Sequence, residues 1–150
     1  MRRRHDIQAA EPILCHTVPI RVRFSEVDSM RVVWHGEYVR YFEDGREAFG
    51  ERYAGLSYLD IYASGYTLPV VALHADYKLP LHLAERAVVE TRYIPTRAAK
   101  ICFEYIVRRA SDNAVVATGS STQVFVNGAG ELELTTPEFF RQWQQRWNVR

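Results

Sequence analysis

Residues 21–43 read RVRFSEVDSMRVVWHGEYVRYFE, and the spacing of their apolar side chains changes partway along. At the start of this stretch apolar and polar residues alternate, which predicts a β-strand over residues 17–24. Residues 25–34 show no clear periodicity and predict a loop. From Gly36 onward apolar residues recur at intervals of three and four, as they do on one face of an α-helix. The stretch therefore predicts a strand, a loop and a long helix in succession.

Further along the chain, the predicted elements are a short helix, four strands and a last amphipathic helix. Ser57 is expected to cap the short helix and Gly65 to end it. The strand pattern then covers residues 67–77, 87–94, 100–109 and 114–126. Either Thr135 or Thr136 is expected to cap the last helix, with Pro137 in its first turn. This order of elements predicts an α+β fold in which an antiparallel β-sheet wraps around one long central helix.

The long helix carries an aromatic stripe that we expect to be buried against the sheet. The stripe consists of Tyr38, Tyr41, Phe42 and Phe49. Because no linker or internal repeat interrupts the pattern, we expect a single domain over residues 16–150. Residues 1–15 are expected to form a loose, disordered arm before it.

Composition argues against several classes of function. The 150 residues include 19 basic and 18 acidic side chains, so the chain lacks the basic surplus that nucleic-acid binding usually requires. Its two cysteines, Cys15 and Cys102, lie far apart, which disfavours a disulfide framework and a zinc site and favours a cytoplasmic location. No apolar run reaches the roughly 18 residues of a membrane-spanning helix, and the basic start of the chain is not followed by the apolar segment of an export signal.

Asp28 lies in the predicted loop just before the long helix. The first peptide N–H groups of a helix have no partner within the helix and carry partial positive charge. A carbonyl oxygen bound there would be polarised, and a neighbouring carboxylate could attack its carbon or activate a water. The segment therefore predicts a site for a carbonyl electrophile, in which Asp28 acts either as a nucleophile or as a general base.

The same segment resembles the signature of the 4-hydroxybenzoyl-CoA thioesterase family. In that signature an aspartate precedes a short turn, two β-branched residues, an aromatic, a His or Tyr, and aromatics at helical spacing. The matching residues are Asp28, Val32, Val33, His35, Tyr38 and Tyr41. The likeness covers about residues 17–135, and residues 75–80 resemble the family's second strand. It implies the hotdog fold and hydrolysis of acyl-CoA or acyl carrier protein thioesters by a homodimer or homotetramer, without a metal or redox cofactor.

The resemblance also implies roles for individual residues. Asp28 matches the catalytic aspartate, and the backbone N–H of His35 matches the oxyanion contact at the start of the helix. Two positions depart from the family pattern: Val27 replaces a usual Thr or Cys, and Arg31 replaces a common Gly. We expect Arg31 to alter the turn or to place a cation near the substrate, which affects substrate identity more than activity.

Two further cations are candidates for binding the phosphates of CoA. Arg97 and Lys100 flank the turn between two late strands, where this kind of fold commonly meets the nucleotide. The dimer is expected to form at an exposed sheet edge. The strands over residues 87–94 and 114–126 are the candidates for that edge.

Two other functions are compatible with the sequence. A hotdog hydratase or dehydratase would need a His and an acid that address adjacent substrate carbons, which His35 and Glu43 could supply, but Asp28 would then have no role. A non-catalytic acyl-CoA-binding module would tolerate the loss of Asp28. Release of CoA and hydration of crotonyl-CoA are the two activities that separate these possibilities.

Overall fold

The computed structural model describes residues 14–150, which form five strands, three α-helices and one 3₁₀ turn. In chain order these are β1 (Cys15–Arg21), the 3₁₀ turn (Phe24–Glu26), α1 (Glu37–Arg52), α2 (Tyr58–Ser64), β2 (Val70–Tyr77), β3 (Arg86–Ile94), β4 (Lys100–Arg109), β5 (Val115–Val124) and α3 (Glu138–Arg146). Within this range, none of the helices combines the length and the apolar character needed to cross a membrane.

The five strands form one antiparallel sheet in the order β1-β3-β4-β5-β2. β3, β4 and β5 are neighbours in the chain and in the sheet, whereas β2 precedes them and pairs with β5 on the far side. The edge strands are therefore β1 and β2. The predicted edges, residues 87–94 and 114–126, are wrong, because β3 and β5 each have a partner on both sides. The strong strand pattern of residues 87–94 and 114–126 reflects their position inside the sheet, not at its edge.

The two ends of the sheet have different neighbours. At one end, here called the loop end, Arg21 of β1 pairs with Arg86 of β3. At the other, here called the far end, lie Cys15 and the β3–β4 turn over residues 95–99. Tyr53, just after α1, donates its hydroxyl to the Cys15 carbonyl at 2.8 Å. Helix α1 therefore runs from the loop end to the far end.

Helix α1 lies against the inner face of the sheet, and its aromatic stripe is buried as predicted. The facing side chains of β4 are also buried: Ile101, Phe103, Tyr105 and Val107. A Cβ atom on Gly45 would lie only 2.4 Å from Thr91 Oγ1 on β3. Because no larger residue fits without moving the helix, this close approach fixes the position of α1 over the sheet.

The predicted short helix is confirmed together with its cap. The Ser57 hydroxyl oxygen accepts a hydrogen bond from the Asp60 N–H at 3.1 Å, and the Asp60 carboxylate bonds back to Ser57. Gly65 ends the helix with a φ of 81°, a left-handed conformation that glycine adopts without steric cost.

Three predicted boundaries are wrong. The first strand ends at Arg21, and Phe24 begins the 3₁₀ turn instead of closing the strand. Pro137 is itself the N-cap of α3 and makes no side-chain cap, so neither Thr135 nor Thr136 has that role. The predicted arm also reaches into the fold, since Cys15 pairs with β3 and the Leu14 carbonyl accepts from the Tyr93 N–H at 2.9 Å. The rest of the predicted arm, residues 1–13, lies outside the described residues.

Candidate active site

Asp28 lies in a short hairpin between the 3₁₀ turn and α1. Val27 pairs with Val33 across this hairpin. The Asp28 N–H donates to the Val32 carbonyl at 2.9 Å, and the Arg31 N–H donates to the Asp28 carbonyl at 3.0 Å. Arg31 has a φ of 63°. Because a left-handed conformation costs a non-glycine residue about 1–2 kcal/mol, the turn explains why glycine is favoured at this position, and Arg31 keeps the turn at that cost.

The Asp28 carboxylate is half-buried and is oriented by its own turn. Its Oδ1 accepts a hydrogen bond from the Met30 N–H at 2.8 Å, which forms an Asx turn. Within residues 14–150 this is the only hydrogen bond that the carboxylate makes. Oδ2 is therefore available to attack a carbon or to accept a proton.

Two hydrogen bonds fix the backbone at the start of α1. The Trp34 carbonyl accepts from the Glu37 N–H at 2.9 Å, and the His35 carbonyl accepts from the hydroxyl of Tyr77, the last residue of β2, at 2.8 Å. Because a peptide unit is planar, these bonds also fix the directions of the His35 and Gly36 N–H groups. In the described part of the chain neither N–H has a hydrogen-bond partner. Free donors at a helix N-terminus are suited to bind an oxyanion.

The Trp34 indole covers the start of the helix. A Cβ atom on Gly36 would lie 2.1 Å from Trp34 Cζ3, so the indole could not lie there beside any other residue. The His35 ring is exposed, with its centroid 4.9 Å from that of Trp34 and 6.4 Å from that of Tyr77. This geometry favours a role for the His35 backbone over a role for its ring.

A second carboxylate lies beside the helix start. Glu37, the first residue of α1, is only 7% exposed, and its Oε2 has no hydrogen-bond partner within residues 14–150. Arg40 Nε lies 3.8 Å from that oxygen. Nearby, Tyr41 donates its hydroxyl to Glu26 at 3.1 Å. Burial, and then the charge of Glu26, raise the pKa of the Tyr41 phenol well above its ordinary value. At the start of α1, the positive end of the helix dipole offsets the negative charge of the Glu37 carboxylate.

The structure brings together three of the predicted site residues and separates the other two. Asp28, Arg31 and His35 share the hairpin and the helix start at the loop end. Arg97 lies in the β3–β4 turn and Lys100 begins β4, both at the far end. Since β3 spans nine residues, the two groups are roughly 25 Å apart along the sheet of one chain.

Tyr77 was not identified as a site residue from sequence patterns. It lies in residues 75–80, whose likeness to the second strand of the resembling family is the one sequence signal at this position. Its bond to the His35 carbonyl joins residues 42 apart in sequence, so no local spacing could reveal it. Within residues 14–150, no three or more His, Cys, Asp and Glu side chains are grouped closely enough to hold a metal ion.

Comparison with known proteins adds independent evidence on family. Residues 22–144 match the family model described as the thioesterase-like superfamily. A protein of Bacillus subtilis named as a candidate acyl-CoA thioesterase, YneP, is 36% identical over 102 residues, which are 67% of this chain and 73% of that protein.

Solved structures share the same fold. The hypothetical protein TT1821 of Thermus thermophilus matches with a TM-score of 0.76 at 29% identity, over 86% of this chain and 97% of that one. The DHNA-CoA thioesterase of Staphylococcus aureus matches with a TM-score of 0.78 at 24% identity, over 89% of each chain. The α+β hotdog fold expected from the sequence is thereby confirmed.

Proposed function

The chain belongs to the thioesterase-like superfamily and is a thioester hydrolase; on that premise we propose that it cleaves acyl-CoA thioesters with Asp28 as the reacting carboxylate. One observation carries this proposal. The free N–H groups of His35 and Gly36 lie at the start of α1, next to a hairpin whose carboxylate keeps one oxygen unbonded within the described chain. The narrower assignment to the 4-hydroxybenzoyl-CoA thioesterases and the use of acyl carrier protein thioesters stay predictions.

In the proposed reaction the thioester carbonyl oxygen accepts a hydrogen bond from the His35 N–H, with Gly36 as a second donor. These donors and the helix dipole stabilise the negative charge that develops on that oxygen in the transition state. Asp28 either attacks the carbonyl carbon, forming an anhydride that water then opens, or removes a proton from a water that attacks the same carbon. The thiolate leaves without a strong acid, since thiols have a pKa of about 8.5. The products are a free acid and a thiol.

The hydratase alternative fits the geometry less well. It requires His35 and Glu43 to address adjacent carbons of the substrate. Glu43 lies eight residues further along, roughly 12 Å by the rise of the helix. Its Oε2 is also only 2.6 Å from Arg46 Nη2, so an ion pair engages the group that would have to transfer the proton. These contacts favour hydrolysis over hydration.

The decisive experiment measures two activities of the same purified protein. A thiol-reactive dye follows CoA release from butyryl-, dodecanoyl- and benzoyl-CoA, and ultraviolet absorbance follows hydration of crotonyl-CoA. CoA release without hydration supports the proposal. Hydration without release would favour the hydratase, and saturable binding with neither activity would favour a non-catalytic module.

We further propose that the enzyme assembles through β2 into a homodimer, which in turn can form a homotetramer. β2 is an edge strand exposed on both faces, with Val71 58% and Leu73 46% exposed. An edge strand with free backbone groups and apolar side chains favours pairing with another strand. Light scattering at micromolar concentration should therefore give two or four times the mass of the chain. A double Val71→Lys, Leu73→Lys variant should be monomeric, and a monomeric parent protein would contradict the proposal.

A further inference from the structure

A cavity of about 480 Å³ lies at the far end of the sheet, between the second half of α1, helix α2 and strands β4 and β5. This volume is within the range of small-molecule binding sites. Its apolar walls come from Phe49, Leu56, Ile61, Leu68, Ile101 and Phe103. Asp28, His35 and Tyr77 do not line it, so it is separate from the site of the proposed chemistry.

One side of α1 runs from that site toward the cavity. Besides the buried Phe49, the α1 residues that line the cavity are Glu43, Arg46, Glu47 and Gly50. Their spacings of three and four place them on one side of the helix, and the same stripe continues backward through Val39 to Gly36, the N-cap. At about 1.5 Å per residue, the cavity begins roughly 10 Å from Gly36 and ends roughly 20 Å from it. The cavity therefore lies within reach of an acyl chain whose thioester is held at the helix start.

We propose that this cavity binds the distal carbons of a linear aliphatic acyl chain, so that the enzyme prefers medium- and long-chain thioesters to short or single-ring aromatic ones. This inference rests on the proposed function, because it takes the thioester carbonyl to lie at His35. With carbon–carbon bonds of about 1.5 Å, an extended chain advances about 1.3 Å per carbon. About eight carbons reach the mouth of the cavity and about sixteen reach its far wall, whereas a benzoyl ring ends well before the mouth.

The charges in the cavity favour an uncharged chain. The Arg46 guanidinium is held by Glu43 at 2.6 Å, and Glu47 adds a second carboxylate to the lining. The Gln123 amide is engaged as well, since it donates to the Leu68 carbonyl at 2.9 Å. An acyl chain that ends in a carboxylate would meet an excess of negative charge, whereas a methyl end would gain apolar burial.

The rim of the cavity is aromatic and open. Tyr58 and Tyr62 of α2 both line the cavity and are both 74% exposed. Large apolar side chains in water beside a concave apolar surface indicate a binding site. An alkyl chain that enters past these rings would cover part of them.

The test is a matched pair of substitutions on α2. Ile61 lines the cavity and is half-buried, whereas Leu59, two residues earlier, is 74% exposed and does not line it. Ile61→Trp fills the cavity, and Leu59→Trp adds the same side chain outside it. Values of kcat/KM are measured for butyryl-, octanoyl-, dodecanoyl-, palmitoyl- and benzoyl-CoA, with thermal melting as the control for folding.

In the parent protein, kcat/KM should rise from butyryl- to dodecanoyl-CoA and stay low for benzoyl-CoA. Ile61→Trp should lower the dodecanoyl value about tenfold or more and leave the butyryl and benzoyl values within about twofold, since filling an apolar pocket selects by chain length. Leu59→Trp should change none of them. If Ile61→Trp does not fold, Ile61→Ala replaces it and should move the optimum toward longer chains.

Two results would overturn the inference: an unchanged chain-length profile in the cavity variant, or a parent enzyme that prefers benzoyl-CoA. Absence of CoA release from every thioester is a different outcome, because it would overturn the proposed function on which the inference rests.

Discussion

The two ends of helix α1 differ in composition and in the way they are built. At its first turn, a backbone N–H orients the Asp28 carboxylate, and the Tyr77 hydroxyl, from the end of β2, holds the His35 carbonyl. From Glu43 onward the same helix borders an apolar cavity that contains one ion pair and is covered by α2. In the proposed mechanism, the chemical step takes place at the first end and the acyl group is selected at the second. Changes at the first end should affect all acyl chains alike, whereas changes at the second should depend on the length of the chain.

The largest effect is expected from Asp28→Asn. An asparagine Oδ1 can still accept the Met30 N–H bond, so the turn is kept while the charge and the nucleophile are removed. We expect kcat/KM to fall by about a hundredfold or more for butyryl- and dodecanoyl-CoA alike. Thermal melting and mass should stay those of the parent protein.

The matched control for this variant is Asp112→Asn in the exposed β4–β5 turn. Asp112 also accepts a backbone bond within its own turn, from the Ala114 N–H at 3.1 Å. Its loss should leave turnover unchanged. If Asp28→Asn keeps activity within a few-fold of the control, the assignment of the reacting carboxylate is wrong.

The position of Asp28 in a loop just before α1 could be predicted because this part of the molecule is contiguous in sequence. Asp28, the turn, His35 and the first residue of α1 fall within ten residues, so local spacing and turn chemistry carry the information. The sequence does not show why Arg31 is unusual at a position where glycine is common. The left-handed φ of Arg31 is known only from the backbone conformation.

The second end of α1 could not be predicted because it is assembled from distant segments. The cavity draws residues from between Glu43 and Gln123, on two helices, two strands and the segments between them, and no single periodicity links them all. The edge strands were missed for a related reason. β2 reads as one more strand in the sequence, but its position beside β5 depends on a connection across the sheet that strand patterns do not encode.

The second prediction uses the same type of hydrogen bond at both ends of α1. Tyr77 donates to the His35 carbonyl at 2.8 Å, and Tyr53 donates to the Cys15 carbonyl at 2.8 Å. Tyr77→Phe should lower kcat about tenfold with little change in KM, because it frees the peptide unit that orients the Gly36 N–H. Tyr53→Phe should leave kcat unchanged and cost about 1 kcal/mol of stability at most.

Comparing Tyr77→Phe with Tyr53→Phe tests whether Tyr77 is a positioning residue, because a positioning role should lower kcat and leave KM nearly unchanged. Tyr77 also lies on β2, the edge strand proposed to form the dimer. The molecular mass of each variant in solution is therefore measured together with its kinetics. A fall in kcat for both variants, or a monomeric Tyr77→Phe protein, would indicate a structural role instead.

The third prediction asks at which end CoA is bound. If the acyl chain extends toward the far end, the nucleotide part of the CoA bound at the same site lies at the loop end, near Arg31. Arg97 and Lys100 could then serve only the active site of a neighbouring subunit. Both Arg31→Gly and the double Arg97→Ala, Lys100→Ala variant should raise KM for acyl-CoA several-fold, with kcat nearly unchanged and with a weaker dependence on salt. An acyl-pantetheine substrate should be unaffected.

A mixed dimer separates the two routes for Arg97 and Lys100. Asp28→Asn chains are combined with chains that carry the double alanine substitution, so that the only active site belongs to a chain without its own two cations. If the cations act across the dimer, this site should show the KM of the parent protein. A KM that stays raised would instead place Arg97 and Lys100 at the active site of their own chain. That result would contradict the separation of roughly 25 Å between these residues and Asp28 along the sheet.

The smallest effect is expected at the cap of α2. A hydrogen bond from the Ser57 hydroxyl, with further bonds from the Ser57 and Gly55 N–H groups, lowers the pKa of Asp60 below its ordinary 3.8. A lowered pKa in the folded state means that the ionised carboxylate stabilises the fold above pH 3.8 and that this stability is lost as the pH falls below it. Asp60→Asn should therefore cost about 0.5 kcal/mol at pH 7, as charges at exposed helix N-termini do, and less at pH 3. Urea denaturation at the two pH values measures the difference.

In a Ser57→Ala background the same substitution should cost less, because the Ser57 hydroxyl is the main cause of the lowered Asp60 pKa. Turnover of butyryl-CoA should not change in any of these variants; if it does, the cap of α2 and the site at Asp28 are coupled and the two ends of α1 are not independent.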